Sequence, residues 1–388
     1  MENLGVFFGS RAAEHDVSII SGLQALENAD KSKYNAFPVY VSRAGEWFVG
    51  EPLRNIATYK SFDPNLKGLT KVMLPPAPGM KGLYARKGLF GKLRLVQPLA
   101  CALLAFHGLH GEDGTMQGLF ELADIPYTSC GVVASAAGMD KIVMKAVFQS
   151  MGLPVLPSVW CYRDEWNKDR EAVLARAEAL GYPLFVKPSQ LGSSIGISKA
   201  ADRASLERAV EIACAFDWRI LIEKGLDRPD EINCACVGFG EETRVSLCEQ
   251  PVNWQEFLTF DQKYLAGGKG KGMESLARKI PAPIGEELTA RVRDYTREIF
   301  RTFGCKGVVR VDYMLDRASG ELYVCEINTI PGSFAFYLFE PDGLSFRHLV
   351  DALVGYAHEA LAQKNGSTFA YDSTILDKAL GGVKNSKK

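Results

Sequence analysis

The stretch Gly307–Gly332, GVVRVDYMLDRASGELYVCEINTIPG, limits what this chain can fold into more than any other. It reads as two strands, Val308–Leu315 and Glu321–Asn328, joined by a turn at Asp316–Gly320. Side chains alternate along a strand, so Arg310 and Asp312 share a face, as do Glu326 and Asn328. With the turn centred near Ala318, Asp312 is expected across from about Val324 and Arg310 from about Glu326. One face then gathers Arg310, Asp312, Glu326 and Asn328, while Val309, Val311, Cys325 and Ile327 read as core. Two carboxylates and an amide offer oxygen ligands, a set suited to a hard cation such as Mg²⁺ held partly by substrate phosphates. Arg310 beside them suits charge on a phosphoryl group or an oxyanion. A salt-bridged sheet face with no further role accounts for the same residues.

The 388 residues suffice for two or three domains and a sizeable core. A net charge of −1 gives no general pull toward nucleic acid or a membrane surface. The opening MENLGVFFGS has no basic region and only a short apolar run, so no signal peptide is expected. Leu95–Phe106, broken by Gln97 and Pro98, is too short to span a membrane. The nine cysteines lack metal-type pairing, even though Cys234 and Cys236 share a face of an expected strand. Core thiols in a reducing cytosol are the expectation, with a cytoplasmic location.

Leu4–Phe8 reads as a strand, Val17–Asn28 as a helix and Phe37–Val41 as the next strand, the start of a βαβ layout. Residues 43–95 are rich in Gly, Pro and Lys and suggest only short strands at Trp47–Val49 and Val72–Leu74. Ala100–Phe106 reads as a buried strand ending at His107, followed by a loop and a helix at Met116–Ala123. Further helices are expected from Lys141 to about Met151 and at Asp169–Leu180, Ser205–Phe216, Glu286–Phe303 and Phe346–Ala362. Strands are expected at Leu184–Lys187, Ile220–Glu223, Glu231–Val237 and Thr243–Leu247. Phe257–Arg278, with its GGKGKG run, reads as a mobile loop. The expected division is an N-terminal α/β unit over 1–138, a lid over 139–219, a C-terminal unit over 220–364 and a tail over 365–388.

Smaller constellations are ambiguous one at a time. The loop Gly192–Gly196 follows the strand carrying Lys187, and its N–H groups and hydroxyls can wrap phosphate oxygens. It is neither a P-loop nor a GxGxxG turn, and a plain hairpin turn explains it too. Ile220–Leu226 can offer Glu223 and backbone groups to an adenine edge, or be only a strand and turn. His107 at a strand end reads as a capped or packed residue, and Glu14 and Asp16 before a helix have ordinary capping readings.

Taken in order, the runs EHDVS, HGLHGEDGTMQGLFELADIPY, MDK, VKPSQLGSSIGISK, QKYL and EINTIPG make the chain resemble the D-alanine–D-alanine ligase family of the ATP-grasp superfamily, from about Gly5 to Ala362. The resemblance implies an α/β ATP-grasp fold behind an N-terminal α/β domain, with a small lid subdomain and a C-terminal sheet. It implies ATP and two Mg²⁺ ions, with Mn²⁺ able to replace them, and a homodimer. Asp312, Glu326 and Asn328 would bind metal. Lys141, Lys187, Ser193, Ser194 and Lys263 would meet the phosphates, Glu223 and the backbone of Lys224–Leu226 the adenine, and Glu231 the ribose. Glu14, near His107, would hold the ammonium of the first D-alanine, and Glu14, Ser193 and Tyr264 would form a linked group. Arg310 and the Gly332 N–H would stabilise a tetrahedral oxyanion.

The implied chemistry forms an acyl phosphate on the first D-alanine, which the amine of the second then attacks, supplying peptidoglycan synthesis. Water has to be kept out, a reason for the 257–278 loop to close. One run departs from the family. Where a Thr-Ser-His-Ser type sequence is usual, this chain has Ser333–Phe339, SFAFYLF, with Tyr337 at the position of the serine that holds the second substrate's carboxylate. A narrower, more aromatic pocket is expected from Phe334, Phe336 and Tyr337. The lead-in to QKYL is also unusual, Leu258-Thr-Phe260. The alternatives are a different second substrate, such as D-serine, D-lactate or another amine, and a non-catalytic nucleotide-binding paralogue. Tyr264 weighs against D-lactate, and the intact metal-type set weighs against the paralogue.

Overall fold

The computed structural model describes residues 1–88, 91–251 and 278–369, with Ser373, Ile375 and Leu376. Its first sheet has the order Thr70–Val72, Trp47–Val49, Tyr34–Val41, Glu2–Gly9, Cys101–Leu104. The strand Glu2–Gly9 runs parallel to both its neighbours, and Leu4–Gly9 is buried throughout. That is why its sequence is a continuous apolar run rather than an alternating one. The helix His15–Asn28 makes the crossover and packs on this strand. The stretch 43–95 also forms a hairpin, Gly82–Lys87 with Lys92–Pro98, which its weak patterning did not announce. Its strands are largely exposed, and so lack the apolar face that periodicity would reveal.

A second sheet, with the order Ser198–Ala200, Leu184–Pro188, Arg219–Lys224, Ser158–Tyr162, is antiparallel throughout. The helices Arg170–Glu178 and Arg203–Phe216 cover it with Val173, Leu174, Leu206, Ala209 and Val210. Each helix starts at an aspartate, Asp169 or Asp202, whose carboxylate accepts a first-turn N–H.

The third sheet carries the opening stretch of the sequence analysis. Its order is Arg278–Lys279, Glu242–Pro251, Asp230–Phe239, Lys306–Leu315, Leu322–Asn328. The register of the last pair differs from the one expected. Asp312 lies opposite Glu326, and Arg310 opposite Asn328. The turn shifts the pairing by one residue, and an irregularity after Asp312 leaves Cys325 without a direct partner, adding another. Cys325 is therefore only half-buried, whereas Val309, Val311 and Ile327 are core as expected.

The final helix, Phe346–Asn365, packs on both Cys101–Leu104 and Lys306–Leu315. One apolar cluster therefore runs from Leu4 and Phe7 through Leu349 and Val350 to Val308 and Val237. The first and third sheets are joined by this shared core, and a polar strip is left at Arg310 and Asp312.

Candidate active site

On the third sheet one rung crosses four strands as Glu249, Asn233, Asp312 and Glu326. Arg310 donates from Nε to Asp312 Oδ1 at 2.6 Å and from Nη2 to Oδ2 at 2.7 Å. Asn328 Nδ2 donates to the same Oδ2 at 3.0 Å. Burial pushes the Asp312 carboxyl up, Arg310 opposes this, and the like charges of Glu326 and Glu231 add to it, leaving it at about 6. An acidic set under such mutual repulsion, buried at Asp312, is stabilised by a cation, and its oxygens are the donors a hard divalent ion prefers. Asp312, Glu326 and Asn328 thus fit a divalent metal.

Lys141 links this rung to the second sheet. Its Nζ donates to Leu191 O at 2.5 Å and lies 4.0 Å from Glu326 Oε2. Asp140 caps the helix that carries it, accepting from the N–H groups of Ile142 and Val143. Lys187 Nζ donates to Glu223 Oε1 at 2.7 Å, and Lys145 Nζ pairs with Glu223 Oε2 at 2.5 Å. Burial alone would raise the Glu223 carboxyl, but the two lysines outweigh it and hold it at about 2. Lys224 turns its ammonium to Gly181 O and Tyr182 O, and its N–H donates to Pro157 O. Gly225 N–H is likewise taken by Pro183 O, and Leu226 follows directly after it. Glu231 accepts from Asn233 Nδ2 at 3.2 Å.

Glu14 is buried, and its carboxylate takes hydrogen bonds from the Ser193 side chain and the Gly192 N–H. Burial raises its pKa despite these bonds and the nearby Lys141 charge. The glycines around it are sterically required. A Cβ on Gly192 would lie 2.6 Å from Glu14 Oε1, and one on Gly108 would lie 2.3 Å from Oε2. Ser193 and Ser194 hold φ of 53° and 61°, a left-handed loop closing over Glu14.

His107 is buried with both ring nitrogens engaged, one with Ile330 O at 2.9 Å and the other with Ser21 Oγ at 2.8 Å. Burial lowers its pKa to about 4, so the neutral ring donates from Nδ1 to Ile330 O and accepts at Nε2 from Ser21. Ser21 Oγ in turn accepts the Ser333 N–H at 3.1 Å. Glu112, singled out by no motif argument above, accepts Gly108 N–H at 2.9 Å and Ile330 N–H at 3.0 Å. Its interior position pushes its carboxyl up to about 7. These two side chains tie the His107 loop to the turn after Asn328. Lys145 was also missed; its signal was the spacing of four from Lys141, which places both on one helix face.

The run Ser333–Phe339 corrects the expectation for Phe334 and Phe336, whose rings turn into the core, but not for Tyr337, which stays beside Arg310. Ser333, Phe334 and Ala335 have φ of 50°, 57° and 48°, a left-handed turn that costs about 1–2 kcal/mol per residue. Phe336 stacks on Phe346 with centroids 4.5 Å apart and planes 4° apart, and Phe334 packs beside it. Both phenyl rings belong to the shared core. The Tyr337 hydroxyl donates to Glu249 Oε1 at 3.2 Å, and the Arg278 guanidinium lies 3.9 Å over its ring. Lys263, Tyr264 and all but the last residue of the expected 257–278 loop fall outside the described residues; that last residue, Arg278, is in a strand.

Residues 3–130 match the family described as D-ala D-ala ligase N-terminus, and residues 147–355 the one described as D-ala D-ala ligase C-terminus. A D-alanine–D-alanine ligase of Thermosipho melanesiensis is 37% identical over 382 residues, 98% of this chain and 100% of that one. One of Heliobacterium modesticaldum is 36% identical over 94% of this chain and 98% of its own. Among solved structures, the VanG D-Ala:D-Ser ligase of Enterococcus faecalis superposes with a TM-score of 0.76 at 30% identity, covering 92% of this chain and 99% of that one. The D-alanine-D-alanine ligase of Coxiella burnetii gives 0.76 at 24% identity over 94% and 98%, a likeness of fold. With the Gly192–Ser193 loop on Glu14 and Lys141 reaching toward Glu326, the chain belongs to the D-alanine–D-alanine ligase family.

Proposed function

We propose that this protein uses ATP to join two D-alanines into D-alanyl-D-alanine, the dipeptide of peptidoglycan precursors. The observation that carries the reading is a convergence of segments: Glu14, after the strand Glu2–Gly9, is bonded by Gly192 and Ser193 of the loop after Leu184–Pro188 and lies near Lys141, which reaches Glu326 of the third sheet.

Glu14 pairs with the ammonium of the first D-alanine and leaves its carboxylate toward the nucleotide. Lys141 and Lys187 offset phosphate charge, with Ser193 and Ser194 over the phosphates. Glu223 and the backbone reaching Leu226 hold the adenine, and Glu231 the ribose. Asp312, Glu326 and Asn328 hold the divalent metal, Mg²⁺ with Mn²⁺ as a substitute, which when bound neutralises phosphate charge. In the first step a carboxylate oxygen of D-alanine attacks the γ-phosphorus, the bond to the β-phosphate bridge breaks, and ADP leaves. In the second the amine of the other D-alanine attacks the acyl carbon. Arg310 and the Gly332 N–H stabilise the oxyanion, and inorganic phosphate departs as the amine loses a proton. His107 and Glu112 act as positioning residues, holding the Ile330–Ser333 turn against the N-terminal domain.

The test is phosphate release with ATP, Mg²⁺ and D-alanine, with the product identified by mass. The dipeptide and one ADP per peptide bond are expected. Release only when a different amine is added would replace the second substrate, and no release with any amino acid would overturn the reading.

A further inference from the structure

The cysteines have no metal-type spacing along the chain, yet the fold brings one of them to two other ligand-type side chains. Glu2 and Leu4 alternate onto one face of the strand Glu2–Gly9. The parallel registers set Tyr34 beside Glu2 and Cys101 beside Leu4, so all four side chains share that face. The helix Phe346–Asn365 packs on the strand Cys101–Leu104, with Asp351, Val354 and His358 along one of its stripes. One ligand atom each from Glu2, Cys101 and His358 then lies within 4.8 Å of the other two. His358 Nε2 and Glu2 Oε1 are 2.6 Å apart at the rim, and the Cys101 thiol is buried beneath them.

Thiolate, imidazole and carboxylate together are the donors of Zn²⁺. Zn²⁺ takes sulfur at about 2.3 Å and nitrogen and oxygen at about 2.0–2.2 Å, which sets tetrahedral ligands roughly 3.3–3.7 Å apart. The spacings here bracket that range. The side chains of His358 and Glu2 are 45% and 29% exposed, so they can separate to admit an ion and leave its fourth position to water. Burial, and after it the charge of Glu2, push the Cys101 thiol up, opposed by Lys306. A divalent cation displaces the thiol's proton to solvent, and thiolate and carboxylate then balance its two charges. A soft thiolate also discriminates against Mg²⁺, which prefers oxygen. Glu2 begins the strand beyond whose other end Glu14 lies, so this cluster sits at the far edge of the first sheet from the catalytic cleft.

We propose that Glu2, Cys101 and His358 form a Zn²⁺ site that clamps the final helix to the first sheet, separate from the oxygen-lined metal site at Asp312. The proposal stands whether or not the ligase reading does.

The experiment uses tag-free, reduced, metal-stripped protein, titrated with Co²⁺ in excess Mg²⁺ so that oxygen-only sites stay filled. One equivalent of Co²⁺ is expected to give a thiolate-to-cobalt charge-transfer band, which one equivalent of Zn²⁺ removes. C101S is expected to lose the band. H358Q, altered at a half-exposed position that the fold tolerates, is expected to bind Zn²⁺ about 100-fold more weakly in competition with a chromogenic chelator, and E2Q at least tenfold. Zn²⁺ is expected to raise the thermal midpoint of wild type by about 2–5 °C and that of H358Q by less, with phosphate release in H358Q unchanged. Absence of a thiolate band in wild type overturns the proposal. So does wild-type Zn²⁺ affinity in H358Q and E2Q, which would leave the ion on a thiol alone, or a band that persists in C101S, which would put it on another cysteine.

Discussion

The Lys306–Asn328 hairpin and the Gly332–Leu338 turn are neighbours in the chain and both border the site, yet they place their side chains by different rules. In the hairpin, alternation puts Arg310 with Asp312 on one strand and Glu326 with Asn328 on the other. The extra residue at Cys325 moves Glu326 from opposite Val311, where the turn's own register would set it, to opposite Asp312, and so brings the two pairs together on one face. In the turn, three consecutive left-handed residues remove any period. Ser333 is held by Ser21 and Gln24, Phe336 by Phe346 and Tyr337 by Glu249, all partners remote in sequence. Function can be read along a regular sheet, whereas in the turn it depends on which distant residue each side chain reaches.

Substitutions can break this comparison from either side, and the largest effect belongs to the hairpin. Glu326→Gln should lower turnover by at least about 1,000-fold, because an anionic metal ligand facing the phosphates is lost. The side chain is partly exposed, so the thermal midpoint should stay within a few degrees of wild type. Near-normal phosphate release at saturating Mg²⁺ would remove the hairpin from the catalytic site.

The turn should show the reverse. Phe336→Ala removes a stacked, buried ring and should cost about 3–4 kcal/mol in urea unfolding. A small stability loss with a large loss of activity would mean that the ring lines the substrate pocket after all.

Glu112 joins the two regions and gives a pH signature. Its folded pKa of about 7 lies above its ordinary value of 4.5, so the folded state binds the extra proton between those values. Stability from this group is fully present below pH 4.5 and is lost as pH rises through 7. Without metal, wild type should lose about 2 kcal/mol more than Glu112→Gln between pH 5 and pH 8; this figure is reduced for the side chain's partial exposure. Parallel profiles for the two proteins would show that the carboxyl is already ionised at pH 5.

The smallest change is Tyr337→Phe, which keeps the ring beneath Arg278 and deletes only the bond to Glu249. It should cost about 1 kcal/mol of stability and leave phosphate release nearly intact. A large rise in the KM for the second amino acid would place the tyrosine hydroxyl in that substrate's site.

The sequence by itself determined the elements with a strong period or a continuous apolar run, and the chemistry of the sheet face. Leu4–Phe8, the helix at 15–28 and the Arg310–Asp312 and Glu326–Asn328 pairs were legible because backbone geometry alone dictates their spacing. Family-like runs in the sequence mark Glu14, Lys141, Lys187 and the Gly192–Gly196 loop as site candidates. Only the tertiary structure decided that the helix at 346–365 joins two sheets through one core, and that Glu223 lies between two lysines. It also decided that the aromatic run after Gly332 turns into that core and that Tyr337 meets Glu249 and Arg278. Those outcomes depend on contacts between segments far apart in the chain. Burial and the charge of a distant partner, which no local pattern encodes, set the neutral His107, the raised Glu112 and the low Glu223.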